Sequence, residues 1–99
     1  MKFSKKEIDM FLKIKKIQEK IENAQKKLES REFTSRVGDI FIVMQGTKQI
    51  IDVQIKNIDS LKNLDLIQES LLLSFNDLLK QVEKASEELF IEASKEYEF

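Results

Sequence analysis

Six lysines near the start of the chain, Lys2, Lys6, Lys13, Lys16, Lys20 and Lys27, have spacings that acquire meaning if the segment is helical. At ~100° per residue they fall within an arc of about 80°, interrupted once by Asp9. Lysine is a flexible point charge that contacts phosphate and releases its counterions. Such a row can track a nucleic-acid backbone. It cannot read bases, because the arc holds neither Arg nor Asn. Arg31 lies near the end of the row and Arg36 near the first turn. The candidate DNA-binding set is therefore Lys6, Lys13, Lys16, Lys20, Lys27 and Arg31, with Lys13, Lys16 and Lys20 as its centre. Base stacking on single strands has less support, since only Phe3 and Phe11 accompany these lysines.

The same lysines have a second reading. Residues 1–31 hold ten Lys/Arg and five Asp/Glu, residues 32–64 four of each, and residues 65–99 three Lys and nine Asp/Glu. The net charge of −1 thus conceals a basic beginning and an acidic end. The lysines could pair with Glu83, Glu87, Glu88, Glu92, Glu96 and Glu98, as the flanking positions of a coiled coil do. Phosphate binding and structural pairing both remain open at this point.

Catalysis has little to stand on. The chain has no His, no Cys and no Gly-rich phosphate loop, so thiolate sites are excluded and no acid–base role can be assigned. Zinc would have to bind through carboxylates alone, which is rare. Glu83, Glu87 and Glu88 read as a solvated helix face rather than an acid–base pair. No enzyme activity, cofactor, metal or small-molecule substrate is expected. No apolar run suits a secretory signal or spans a bilayer, so a cytoplasmic protein without a membrane partner is expected.

The elements that must carry the lysines follow from periodicity. Ninety-nine residues with no Pro and two Gly predict one domain, 1–99, of few and long elements. Met10, Ile14, Ile17, Ile21, Ala24 and Leu28 form a heptad seam, which predicts a helix over 5–30 opened by a Ser4/Glu7 capping box. Three antiparallel strands are expected at about 31–36, 39–45 and 48–55. The first pair is joined through Gly38. The second is joined at Gln45-Gly46, where Gly46 would supply a positive φ. In the second strand Ile40, Ile42 and Met44 point one way and Phe41 and Val43 the other. One face can pack on this chain's own helices, and the other calls for a partner subunit.

A last helix is predicted over 65–95, with Asp65/Gln68 as its capping box and Leu71, Phe75, Leu78, Val82, Ala85 and Leu89 as its seam. Its first half is apolar nearly all round; its second half is amphipathic. Asn76 falls at the edge of the apolar arc, placed to bond a loop or a partner chain, and Asp77 on the back face with Leu73. Phe41, Val43, Leu73, Phe75 and Asn76 are the candidate core and dimer residues. The fold class is α+β: helix, three-stranded sheet, long helix, in a dimer with protruding helical arms.

Four marks in this order resemble the YbaB/EbfC nucleoid-associated proteins: Gly38, "MQGT" at the second hairpin, "DVQIKN" closing the third strand, and "SFNDLLKQVE" in the last helix. The resemblance covers roughly residues 10–90. It implies a homodimer with a central β body and tweezer-like helices, nucleoid association, and low-specificity binding of double-stranded DNA. It also makes Asn76-Asp77 a shared architectural mark with a structural role. The sequence departs from the family at Lys56-Asn57, where an Asp-Pro is usual. The competing class is a protein-interaction module or prefoldin-like holdase with coiled-coil arms. A third strand favours the DNA-binding reading, and the acidic last helix favours the holdase.

Overall fold

The computed structural model describes residues 4–95, apart from the side chain of Ser60. Helix α1 spans Lys5–Ser30 and helix α2 spans Leu64–Lys95. Between them lie strands β1 (Glu32–Val37), β2 (Ile40–Gln45) and β3 (Ile50–Ile55), and a 3-10 turn at Ile58–Lys62. The strands form one antiparallel sheet in the order β1-β2-β3. The predicted α+β architecture is therefore the observed one, with strand ends shifted by one or two residues.

Local chemistry sets each boundary. Ser4 caps α1, its hydroxyl accepting from the Glu7 N–H at 3.2 Å. At the other end the Arg31 N–H donates to the Leu28 carbonyl at 3.1 Å, and the Ser30 hydroxyl to the Lys27 carbonyl at 2.8 Å. These bonds satisfy carbonyls that the helix leaves free. Helix α2 begins one residue earlier than expected because Asn63, not Asp65, is its cap: the Asn63 side-chain oxygen accepts from the Leu66 N–H at 3.1 Å. Asp65 sits in the first turn, where the helix dipole favours a carboxylate.

The hairpins divide the glycine roles differently from the expectation. Gly38 has φ 58° and opens a two-residue turn, as the first central position of a II′ hairpin requires. In the second hairpin the positive φ, 72°, belongs to Lys48. The Lys48 N–H closes a turn on the Gln45 carbonyl at 2.8 Å, and the Gln45 N–H bonds the Gln49 carbonyl at 2.8 Å. This is the three-residue loop that ends in a left-handed residue. Gly46 is needed for a different reason. A Cβ there would overlap the Leu28 carbonyl oxygen and stand 2.5 Å from its carbon. The Gly46 N–H also donates to the Arg31 carbonyl at 2.9 Å. The hairpin is thus pressed against the end of α1.

The core lies between one face of β1–β2 and α2. Phe33, Ile40, Ile42, Met44, Leu78, Val82 and Ala85 are buried there with Leu28, the one residue of α1 that is buried. Ile40, Ile42 and Met44 face inward as their alternation predicts, and Phe41 and Val43 are half-buried on the other side. The seam of α2 is rolled relative to the prediction. Leu78, Val82 and Ala85 are buried, but Leu71, Phe75 and Leu89 are only partly so. Ser70 and Ser74 are buried instead. Their small size lets the helix approach the first hairpin, where Ser70 Oγ lies 3.7 Å from the Cβ position of Gly38. Ser74 Oγ has no hydrogen-bond partner among the described residues.

Helix α2 lies over β1 and β2, and all six residues of β3 are exposed. Val53 and Ile55 pair directly with Ile42 and Ile40 and so share their face, continuing the core surface into solvent. A bulge falls between Val43 and Met44 in this pairing, leaving Ile51 without a counterpart. The whole molecule is a rod of 72 × 20 × 19 Å.

Replacing Gly46 by Ala is expected to destabilise the fold by about 2–3 kcal/mol, because the new methyl meets backbone that cannot step aside. Urea unfolding of both proteins measures it. An unchanged midpoint would show that hairpin and helix separate at no energetic cost.

Candidate nucleic-acid interface

The arm that carries the lysines is made by α1 packed antiparallel on the second half of α2. Ile21, Ala24 and Leu28 line one side of the contact; Ser86, Leu89 and Phe90 line the other. With Ala24 beside Leu89, Lys95 comes level with about residue 18 of α1. The predicted seam is engaged accordingly. Ile17, Ile21 and Ala24 are half-buried and Leu28 is buried, whereas Met10 and Ile14 are exposed. They extend past the described part of α2.

This arrangement gives the lysines two environments. Lys6, Lys13, Lys16 and Lys27 are exposed, and Lys20 is half-buried. Lys20 and Lys27 line a groove with Asn23, Leu89 and Glu92 between the two helices. Lys6, Lys13 and Lys16 stand farther out along the arm. Among the described residues, Lys6, Lys13, Lys16 and Lys27 form no ion pair. Glu83, Glu87, Glu88 and Glu92 are exposed on α2. Lys2, Glu96 and Glu98 lie outside the described residues. From Lys6 to Lys27 the row rises about 31 Å, comparable to one turn of B-form DNA at 34–36 Å.

Arg31, exposed at the root of the arm, holds its guanidinium 5.0 Å from the centroid of the Phe33 ring. Arg36 lies near the other end of β1, about 17 Å away, and does not lengthen the row. What the arm offers is a line of exposed positive charges, with Asn23 beside Lys20 and Lys27. Charges of this kind suit phosphate oxygens at irregular spacing.

The candidate core residues occupy three settings. Phe41 and Val43 lie on the outer sheet face among polar neighbours: Arg36 and Gln54 flank Phe41, and Thr34 and Asp52 flank Val43. The Lys56 ammonium sits 5.6 Å from the Phe41 ring centroid. It donates to Gln54 at 2.6 Å, which donates in turn to Asp52 at 2.8 Å. The chain's own polar side chains thus cover much of this face. Phe75 packs against the core, Leu73 is exposed, and Asn76 is exposed as well.

Asp77 is placed differently from the expectation. Its carboxylate accepts from Ser35 Oγ on β1 at 2.8 Å and from Gln81 Nε2 at 2.9 Å. Gln81 also donates to the Thr34 carbonyl at 3.0 Å. The roll of α2 toward its serine side carries Asp77 from the back of the helix to the rim of β1. Sequence reasoning missed this interaction; the i,i+4 spacing of Asp77 and Gln81 was its available signal.

A two-helix arm on a three-stranded antiparallel sheet defines a small α+β protein. The chain belongs to the YbaB/EbfC DNA-binding family, whose model matches residues 4–96. It is 28% identical over 83 residues to a nucleoid-associated protein of Mycoplasmopsis pulmonis, a match covering 82% of each chain. It is 31% identical over 72 residues to a nucleoid-associated protein of Clostridium acetobutylicum, covering 70% of this chain and 64% of that one. A nucleoid-associated protein of Clostridium kluyveri is 31% identical over 71 residues, 69% of this chain and 62% of its own. The chain thus spans a little under two thirds of the length of the two clostridial relatives.

Asp77→Ala is expected to cost about 1–2 kcal/mol, since it leaves the buried Ser35 hydroxyl without its acceptor. Asn76→Ala is expected to stay within about 0.5 kcal/mol. Thermal melts of the pair test the assignment, and the reverse order would place the structural role at Asn76.

Proposed function

We propose that this protein binds double-stranded DNA with low sequence specificity, as a homodimer, in association with the nucleoid. Lys6, Lys13, Lys16, Lys20, Lys27 and Arg31 supply the phosphate contacts. The observation that carries this reading is the row of exposed lysines on α1, four of them without an ion pair among the described residues. Family membership and the names of the relatives point the same way. The third strand favours it over a prefoldin-like holdase.

The homodimer reading rests on uncovered apolar surface. Ile50, Val53 and Ile55 of β3, with Leu66, Leu72 and Leu73 of α2, are exposed in the single chain. A second copy covering them would bury roughly 1,000 Å² or more in total, as a stable pair requires. Sedimentation equilibrium at micromolar concentration is expected to give twice the chain mass. A monomer there would end the dimer reading and leave the lysine row to be judged alone.

Replacing Lys6, Lys13 and Lys16 together by Gln is expected to weaken binding equally on unrelated duplexes. The slope of log affinity against log salt should flatten by about 0.9 for each phosphate that is no longer neutralised. The melting temperature should barely move, since these side chains are exposed and unpaired among the described residues. Gel-shift titrations at two salt concentrations, with melts of the same samples, give both quantities. A wild-type protein that ignores duplex at low salt would refute the proposal. So would a variant that binds as tightly as the wild type.

A further inference from the structure

The outer end of α1 carries a surface that phosphate binding does not use. Ile8, Met10, Phe11, Leu12 and Ile14 are exposed by 44–66%. At ~100° per residue they span an arc of about 200°, far wider than a coiled-coil seam needs. Lys5, Lys6, Lys13 and Lys16 occupy the remaining arc with Asp9. Two charges interrupt the apolar arc. Glu7 belongs to the first turn, where free N–H groups favour it, and Lys15 has a long stem that can lie along apolar surface. Residues 5–16 hold five lysines against two carboxylates.

We infer that this segment of α1 is an interfacial helix, laying its apolar arc into an anionic lipid bilayer with its lysines among the phosphate head groups. Amphipathic helices of this composition bind membranes by burying apolar area and attracting anionic lipid together. Among the described residues no helix is long and apolar enough to cross a membrane. A helix lying in the interface needs no such length, so the sequence argument against a spanning segment does not apply to it. Charge decides between the possible occupants. A second basic tip would be repelled by the first. A duplex matches the lysines but offers no apolar bed of comparable width. An anionic bilayer matches both arcs. The segment also forms the end of a 72 Å rod, where a flat surface meets no obstruction. This inference goes beyond DNA binding and does not depend on it.

The chain has no Trp, so Phe11→Trp creates a single fluorescent reporter. With vesicles of phosphatidylcholine and phosphatidylglycerol in equal parts at low salt, its emission is expected to shift to the blue and resist acrylamide. Phosphatidylcholine vesicles should leave it unchanged. The double variant Phe11→Ser/Leu12→Ser should lose about tenfold or more in affinity in co-sedimentation with the anionic vesicles, with unaltered melting. Absence of the blue shift would overturn the inference. Sedimentation undiminished in the serine variant would reduce the attraction to lysine charge alone and overturn it too. A loss of duplex affinity in that variant would assign the apolar arc to DNA. A smaller oligomer would assign it to a second copy. Either result replaces the lipid surface.

Discussion

The position of the arm depends on one close approach, that of Gly46 to the last turn of α1. Only hydrogen occupies the space where a Cβ would strike the Leu28 carbonyl. The Gly46 N–H then reaches the Arg31 carbonyl, so the hairpin and the helix end share a hydrogen bond as well as a surface. Leu28, the buried residue of α1, lies at this joint. A single residue, Arg31, separates helix from strand. With so short a connection, the direction of α1 follows from how tightly the hairpin packs on it. The lysine row inherits that direction.

Helix α2 serves the sheet with its first half and the arm with its second. On the sheet it gives up apolar contact for nearness: Ser70 and Ser74 occupy positions where larger side chains would hold it away. Ser74 is fully buried there, its hydroxyl without a hydrogen-bond partner among the described residues. The bonds from Ser35 and Gln81 to Asp77 then hold the rolled orientation at the rim of β1. The same roll leaves β3 outside the shelter of the helix. The exposed apolar strip and the buried serines are two results of one rotation.

Much of this was legible in the sequence because period and burial agree. The alternation of Ile40, Ile42 and Met44, the heptad of α1 from Ile17 to Leu28 and the Ser4 cap each reported one local constraint, and each appears in the structure. The misreadings arose where tertiary contact chose between locally equal options. Gly46 looked like a turn residue; its need is set by Leu28, 18 positions away. The predicted seam of α2 omitted Ser70 and Ser74, which are buried where the helix nears the first hairpin. That shift in phase also moved Asp77. The lysines were visible as a row. Whether each would meet a carboxylate depended on how far α2 runs beside α1, which no local pattern encodes.

Helix α1 is held against α2 from Ile17 to Leu28, and its first turns, residues 5–16, project past the described part of that contact as a lever. That segment is about 18 Å long, so a bend of only ~10° at its base sweeps the far end through about 3 Å, or one base-pair step. Angular slack too small to disturb the core is therefore magnified into a search radius at the tip. Charges carried on such a lever need no fixed register with the polymer they touch. The packing of α1 on α2, with the glycine and the hydrogen bond at its root, thereby sets the mechanical tolerance with which the outer lysines meet their target.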